Sequence, residues 1–405
     1  MPGNFSKRLI KAAAVLFILS GCAAPKAVVH KDWPTYLNGY QRANMTGENL
    51  TLPLAIAWDR NVSAFNLFKA YPKEQLSSPV ISNGVLYAGS TNEEFYTVDF
   101  DSGKTLWKFD SGYPVEATAT VEGQSVYFGS SDGVLRCLDR ANGKEAWRFT
   151  ARSEILSSPV VTGGRVYFSS SDDRVYALDA KTGEKAWSYN RGTLQTVTPR
   201  IYASPAWSNG RLYVFFSDGT LVSLSADTGK EAWSKKLVKR FDNARQTRRT
   251  PLVAGGAVYA IDDNNAVEAL SEDTGEVKGI YNIIKAYDFI ALDRNRLVIA
   301  GESQVAMIDR LTGAVLWKSD VKYSPLTSVF AAGDALFVVS KRTIKPFGWD
   351  FLSRTKGRIQ ALSLKDGGTL WEKGVGSSVT ANASAGDAGV ALLTDKGLLT
   401  VFKTK

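Results

Sequence analysis

Ala177-Leu178-Asp179-Ala180-Lys181-Thr182-Gly183-Glu184-Lys185-Ala186-Trp187 holds the phrase on which the reading of this chain turns. An apolar strand ends in Asp, Gly follows four residues later, and Trp four after that. Six other stretches repeat it: Asp99/Gly103/Trp107, Asp139/Gly143/Trp147, Ser225/Gly229/Trp233, Ser271/Gly275/Gly279, Asp309/Gly313/Trp317 and Ser363/Gly367/Trp371. The final members are 40, 40, 46, 46, 38 and 54 residues apart. A period near 40 with four short strand signals per unit predicts an all-β chain, a β-propeller with one antiparallel blade per repeat.

The unit that opens at Ser77 shows the grammar. Ser77 to Ser82 reads as inner strand a, and Asn83-Gly84 as a tight hairpin. Val85 to Ser90 is strand b, Phe95 to Phe100 strand c, and Asp101-Ser102-Gly103-Lys104 the turn into outer strand d. Forty-nine residues before Trp107 stands Trp58, in the isolated strand Leu54-Ala55-Ile56-Ala57-Trp58. Residues 378 to 403 supply three strands and stop before any Trp phrase. The two fragments complete one another, which predicts eight blades, the last closed by an N-terminal strand that removes exposed sheet edges. The recurring Trp58, Trp107, Trp147, Trp187, Trp233, Trp317 and Trp371 read as packing between neighbouring blades. Gly279 leaves one seam without its aromatic, with Ile280 and Tyr281 nearby to repair it.

The N-terminus reads as a processing signal. Lys7, Arg8 and Lys11 flank an apolar run, Ala12 to Leu19, too short to span a bilayer, and Leu19-Ser20-Gly21-Cys22 follows. That tetrapeptide resembles the lipobox of bacterial lipoproteins, which implies residues 1–21 as a signal peptide and Cys22 as the lipidated, palmitate-bearing first residue. Residues 22–50 are then a tether, and 51–405 one propeller. Ala23 and Ala24 stand where an Asp would signal retention at the inner membrane, so the expected address is the periplasmic face of the outer membrane. Several acyl chains anchor a protein far more firmly than one.

With Cys22 acylated, Cys137 in the alternating strand Val134-Leu135-Arg136-Cys137-Leu138 reads as a core thiol, and no internal disulfide is available. The net charge of +9 falls to +6 once Lys7, Arg8 and Lys11 are lost. In that compartment, acidic protein surfaces or lipid headgroups are better partners than nucleic acid. The single His, His30, lies in the tether, so neither a Ser-His-Asp or Cys-His arrangement nor a multi-His metal site can be built. Glu93-Glu94 and Asp172-Asp173 fall in b–c turns, where solvated charge is expected. Asp262-Asp263-Asn264-Asn265 reads as a polar turn without the spacing or Gly of a calcium loop.

The phrases resemble the pyrroloquinoline-quinone-type (PQQ-like) propeller repeat. With lipobox and eight blades, the mature chain is similar to the BamB family of outer-membrane β-barrel assembly lipoproteins. That resemblance implies a non-enzymatic scaffold without a cofactor. It would be a monomeric propeller within a complex, binding the barrel-inserting subunit and helping present barrel substrates. The same repeat occurs in quinone-dependent dehydrogenases, which hold their quinone against a vicinal Cys pair and a calcium ion. No adjacent Cys pair exists here. A third reading is a paralogous propeller lipoprotein that binds another envelope protein or polymer.

Four long segments fall on one rim of the predicted ring: the links 61–76, 189–202 and 235–250, and a b–c insertion from Lys341 to Arg358. Where the resemblance points to Leu-x-Leu-Arg, this chain has Val197-Thr198-Pro199-Arg200; where it points to Asp-x-Asp, it has Gln246-Thr247-Arg248 between Arg245 and Arg249. The sign of that segment is reversed, and it would repel an unchanged basic partner. The insertion carries Phe347, Trp349 and Phe351 among cations, residues that anchor interfaces or fold back over the propeller mouth. Val197, Arg200, Arg245, Gln246, Arg248, Arg249, Phe347, Trp349 and Phe351 are the expected partner-binding residues.

Overall fold

Eight sheets stand in a ring, each built on four antiparallel strands running outward from the axis, and one of them carries a fifth, short strand. The computed structural model describes residues 32–62, 74–192, 200, 202–239, 249–345, 354–386 and 388–405. Blade 1 is typical: Val80–Ser82, Val85–Gly89, Glu94–Asp99 and Thr105–Asp110. Blades 2 to 6 follow at 120–150, 160–190, 206–236, 252–281 and 288–320, and blade 7 at 326–375. Strands b and c are apolar and buried because neighbouring blades cover both their faces, whereas strand d alternates between half-buried and exposed.

The recurring phrase has a geometric cause. Gly183 takes φ +75°, a left-handed turn that other residues enter only under strain. A register shift then interrupts every c–d ladder next to the Trp position, at Ala177/Leu178 in blade 3 and at the equivalent place in the other seven. In six blades the indole lies on the turn glycine of the next blade, and its Nε1 donates to a carbonyl in that same turn. Trp187 illustrates the arrangement. A Cβ on Gly229 would stand 2.6 Å from its Cε3, and its Nε1 lies 2.9 Å from the Ala226 oxygen.

The ring closes through Leu54–Asn61, which pairs antiparallel with Leu398–Thr404 in register Leu54↔Thr404, Trp58↔Val401 and Asn61↔Leu398. Trp58 then covers Gly103 of blade 1 and donates to the Phe100 carbonyl at 3.0 Å, so the last seam is built like the others. Two sequence expectations need correction. The Lys341–Arg358 insertion is not all loop: its arms extend strands b and c of blade 7 to Ala335–Ile344 and Arg354–Ser363, paired out to Ile344↔Arg354. Asp173 is not a solvated turn charge. It is buried and accepts hydrogen bonds from the backbone N–H and hydroxyl of Ser217 in the next blade, which compensates its desolvation.

Residues 32–46 cross the axis at the end where the a–b turns lie. Trp33 exchanges backbone bonds with Ile81 of blade 1, Pro34 O accepts from Val121 of blade 2, and Tyr40 O from Trp207 of blade 4. Gln41 O accepts from Val253 of blade 5, and Met45–Thr46 adds a short parallel strand inside blade 7. The Asp32-Trp33-Pro34 segment, to which sequence alone gives no role, is thus pinned inside the ring.

Candidate functional site: the axial cavity and its rim

Inner strands that begin near the axis leave a cavity of about 250 Å³, open on the face of the b–c turns and d–a links. Arg42 closes the opposite end. Its side chain is completely buried and donates from Nε to Pro205 O at 2.9 Å, from Nη1 to Tyr36 O at 2.8 Å and Thr35 Oγ1 at 3.1 Å, and from Nη2 to Ser158 O at 3.1 Å. All four acceptors are uncharged. Burial lowers the guanidinium pKa to about 10, still protonated at neutral pH.

Charge is distributed in pairs around the open end. Arg200 is held by Glu116 at 2.6 Å and Glu154 at 2.9 Å, and lies over the Tyr202 ring. Burial alone would lower its pKa, but those two carboxylates raise it further above the usual range. Lys341 reaches Glu74 at 3.4 Å and Thr380 Oγ1 at 3.3 Å. Asp288, half-buried on the wall of the cavity, has no cation beside it: desolvation pushes its carboxyl up to about 7 against bonds from the Phe289 and Val329 N–H groups. On the flank of blade 7, Arg358 pairs with Glu372 at 2.9 Å and, with Arg342, covers the ring of Tyr323.

The expected partner-binding residues separate in this frame. Arg200 stands half-exposed at the mouth. Arg249 is turned inward, 8% exposed, donating to Asp262 O at 2.9 Å and to Asn265 Oδ1. Its nearest acceptors are in the adjoining b–c turn, and desolvation there lowers its pKa to about 10. Val197, Arg245, Gln246, Arg248, Phe347, Trp349, Phe351 and Cys22 lie outside the described residues. Sequence reasoning missed Arg42, Glu116, Glu154 and Asp288. For Arg42 one signal was available, the aromatic spacing Trp33, Tyr36, Tyr40, which is unusual for a solvated tether.

The cavity does not match the donor set of a calcium-bound quinone. Glu116 and Glu74 are committed to Arg200 and Lys341, and among the described residues no three His, Cys, Asp or Glu side chains gather to hold a metal. Cys137 is buried in the seam of blades 2 and 3, and no other cysteine lies among the described residues.

Eight blades of this repeat, closed by an N-terminal strand around a plugged axis, define a PQQ-like propeller. The chain belongs to the family described as outer membrane protein assembly factor BamB, whose model matches residues 56–144, 91–288 and 263–405. No curated protein matches it. Among solved structures it is similar to BamB from Moraxella catarrhalis, with TM-score 0.68 and 17% identity over 87% of this chain and 100% of that one. It is also similar to the quinohemoprotein alcohol dehydrogenase ADHIIG from Pseudomonas putida HK5 (TM-score 0.70, 14% identity, 92% of this chain and 80% of that one). A europium-containing methanol dehydrogenase matches with TM-score 0.69 and 13% identity, over 92% and 98% of the two chains. At such identities the likeness concerns the fold, which scaffold and enzyme share.

Proposed function

We propose that this chain is a non-enzymatic scaffold of outer-membrane β-barrel assembly, anchored through a lipid on Cys22 and facing the periplasm. Its rim would bind the barrel-inserting subunit and help present barrel substrates. The observation that carries this reading is the family match, which runs from residue 56 to residue 405. The rim chemistry supports it: the exposed Arg342, Lys345, Arg354 and Lys356, on and beside the extended arms of blade 7, offer cations to an acidic or polar protein surface. A second reading is favoured by one feature, the basic segment 245–249 where the family's Asp-x-Asp is expected. On that reading the rim binds a different envelope protein or polymer.

Photocrosslinking from positions 200, 248 and 349 in intact cells tests the first reading. Capture of the barrel-inserting subunit supports it, and Arg248→Asp or Trp349→Ala then weakens capture while folding is retained. Capture of another envelope component alone favours the second reading. Recovery of no assembly component from any of the three positions overturns the first.

A further inference from the structure

The two arms that blade 7 extends past its own sheet carry a cationic face. Strand b pairs with strand a only as far as Leu326↔Ser340, and strand c with strand d only as far as Gly357↔Val375. From Arg342 outward the arms pair with each other alone, through Arg342↔Lys356, Thr343↔Thr355 and Ile344↔Arg354. Residues directly opposite one another share a face, and so do alternate residues along one strand. Arg342, Arg354, Lys356 and Arg358 therefore stand on the same side of the ribbon. Lys341 turns the other way, to Glu74 and Thr380 at the axial cavity. Arg342 and Arg358 both lie over the Tyr323 ring, at 6.0 and 4.7 Å from its centroid, which fixes the side they share.

This face is short of negative charge. Neither arm contains an Asp or Glu. Glu372 takes Arg358 at 2.9 Å and is shared with Lys322 at 2.6 Å. Arg342, Arg354 and Lys356 are exposed, and among the described residues none of the three forms an ion pair. By contrast Arg174, Arg191 and Arg296 each hold an Asp, at 3.1, 2.9 and 2.7 Å. Like charges set directly opposite, as Arg342 and Lys356 are, weaken the ladder that carries them. The hydrogen bond from Arg358 and the charges of Arg358, Arg342 and Lys356 also hold the Tyr323 phenol below its ordinary pKa, so these cations converge on one spot.

We propose that this face binds an extended acidic peptide segment. Arg354 and Lys356 alternate along one arm, about 7 Å apart at the backbone, and carboxylates on alternate residues of an extended chain have the same spacing. One carboxylate meets Arg354, the next meets Lys356 and Arg342 together, and the Tyr323 ring borders the contact. A simple anion would answer the Arg342–Lys356 pair and leave Arg354 to solvent. The inference rests on the reading that the rim receives a protein partner, and it narrows that partner to one carrying such a segment.

Fluorescence anisotropy of labelled peptides with the full chain at low ionic strength tests the proposal. A peptide of alternating Glu and Thr is expected to bind about fivefold more tightly than the same residues with the Glu gathered in one block. The double reversal Arg354→Glu with Lys356→Glu should weaken the alternating peptide about tenfold, since two exposed attractions become repulsions. Lys185→Glu removes an exposed cation from the outer strand of blade 3 and should leave binding unchanged. All three positions are exposed, and circular dichroism checks that the variants are folded; the comparison of the two peptides needs no variant. Equal binding of the two peptides, or equal losses in the double variant and Lys185→Glu, overturns the proposal. So does a double variant that loses phosphatidylglycerol vesicles but keeps the peptide, which would assign the face to lipid headgroups. Capture of the barrel-inserting subunit without any peptide preference would sink this inference and leave the scaffold reading standing, and peptide binding without capture would do the reverse.

Discussion

Tyr281 donates its hydroxyl to the Arg310 carbonyl at 2.9 Å, in the place where six other seams use an indole. Those six bonds run from Trp58, Trp107, Trp147, Trp187, Trp233 and Trp317 to Phe100, Arg140, Ala180, Ala226, Glu272 and Leu364, at 2.9 to 3.1 Å. In blade 5 the Trp position is Gly279, and the Tyr281 ring folds back over it; a Cβ there would stand 3.2 Å from the phenol oxygen. Glycine is what admits the substitute. The polar half of the seam is retained and the stacking half is lost, because Gly313 of the next blade has nothing within 4 Å of its missing Cβ.

That difference separates two otherwise identical substitutions. Gly313→Ala pays only for a side chain at φ +72°, about 1–2 kcal/mol. Gly229→Ala has the same backbone cost at φ +70° and also drives a methyl into the Trp187 indole, adding about 1–3 kcal/mol for overpacking. Urea unfolding of the two variants reads the gap directly. Equal losses would show that the indole does not cover Gly229 in solution.

Removal of the aromatic itself should scale with what it contributes. Trp187→Ala takes away both stacking and the bond to Ala226 O, and an expected loss of about 3–5 kcal/mol follows from large aromatic truncations. Tyr281→Phe keeps the ring and deletes one hydrogen bond, an expected loss of about 1 kcal/mol. Thermal or urea midpoints rank them, and a Tyr281→Phe loss as large as that of Trp187→Ala contradicts the packing described.

What was legible in the sequence was what the repeat states locally. Gly183 at positive φ and Trp187 beside a bulge are constraints within one turn, so they recur at a fixed spacing and reveal blade number and strand order. Leu54 to Trp58 was legible as the closing strand because residues 378 to 403 lacked a fourth. Contacts between residues far apart in the chain left no such trace. Arg42 meets Pro205 O across 163 residues, and Asp173 caps Ser217 across 44. Arg249 looked like a rim cation beside Arg248, yet its acceptors, Asp262 O and Asn265 Oδ1, belong to a turn more than ten residues further on.

Arg42 is expected to matter more for stability than a residue in a tether would. Arg42→Met leaves the Pro205, Tyr36 and Ser158 carbonyls without their donor inside the ring, and each orphaned acceptor costs about 1–3 kcal/mol. Relief from burying a guanidinium offsets part of that, so the net loss should be about 2–4 kcal/mol. Arg42→Lys retains the charge but cannot span carbonyls from three directions, and an intermediate loss is expected. A melting temperature for Arg42→Met equal to that of the wild type would show that the plug does not brace the ring.

Asp288 gives the ring a pH dependence of unusual sign for an acid. Most perturbed carboxyls here, among them Asp132 and Asp218, are lowered, and they add stability above their unfolded values that is lost on acidification. Asp288 is raised by burial to about 7, so the folded chain holds its proton where the unfolded chain, near 4, has released it. Its contribution is therefore complete below pH 4 and declines as pH rises toward 7, by about 1.4 kcal/mol per pH unit across that window. Asp288→Asn keeps an acceptor for the Phe289 N–H, 2.9 Å away, and removes the titration. Urea midpoints of wild type and variant, paired at each pH from 4.5 to 7.5, cancel the other carboxyls. The variant should gain on the wild type as pH rises toward 7 and level off above it, and a difference that stays flat throughout would show that the folded chain does not raise the Asp288 carboxyl.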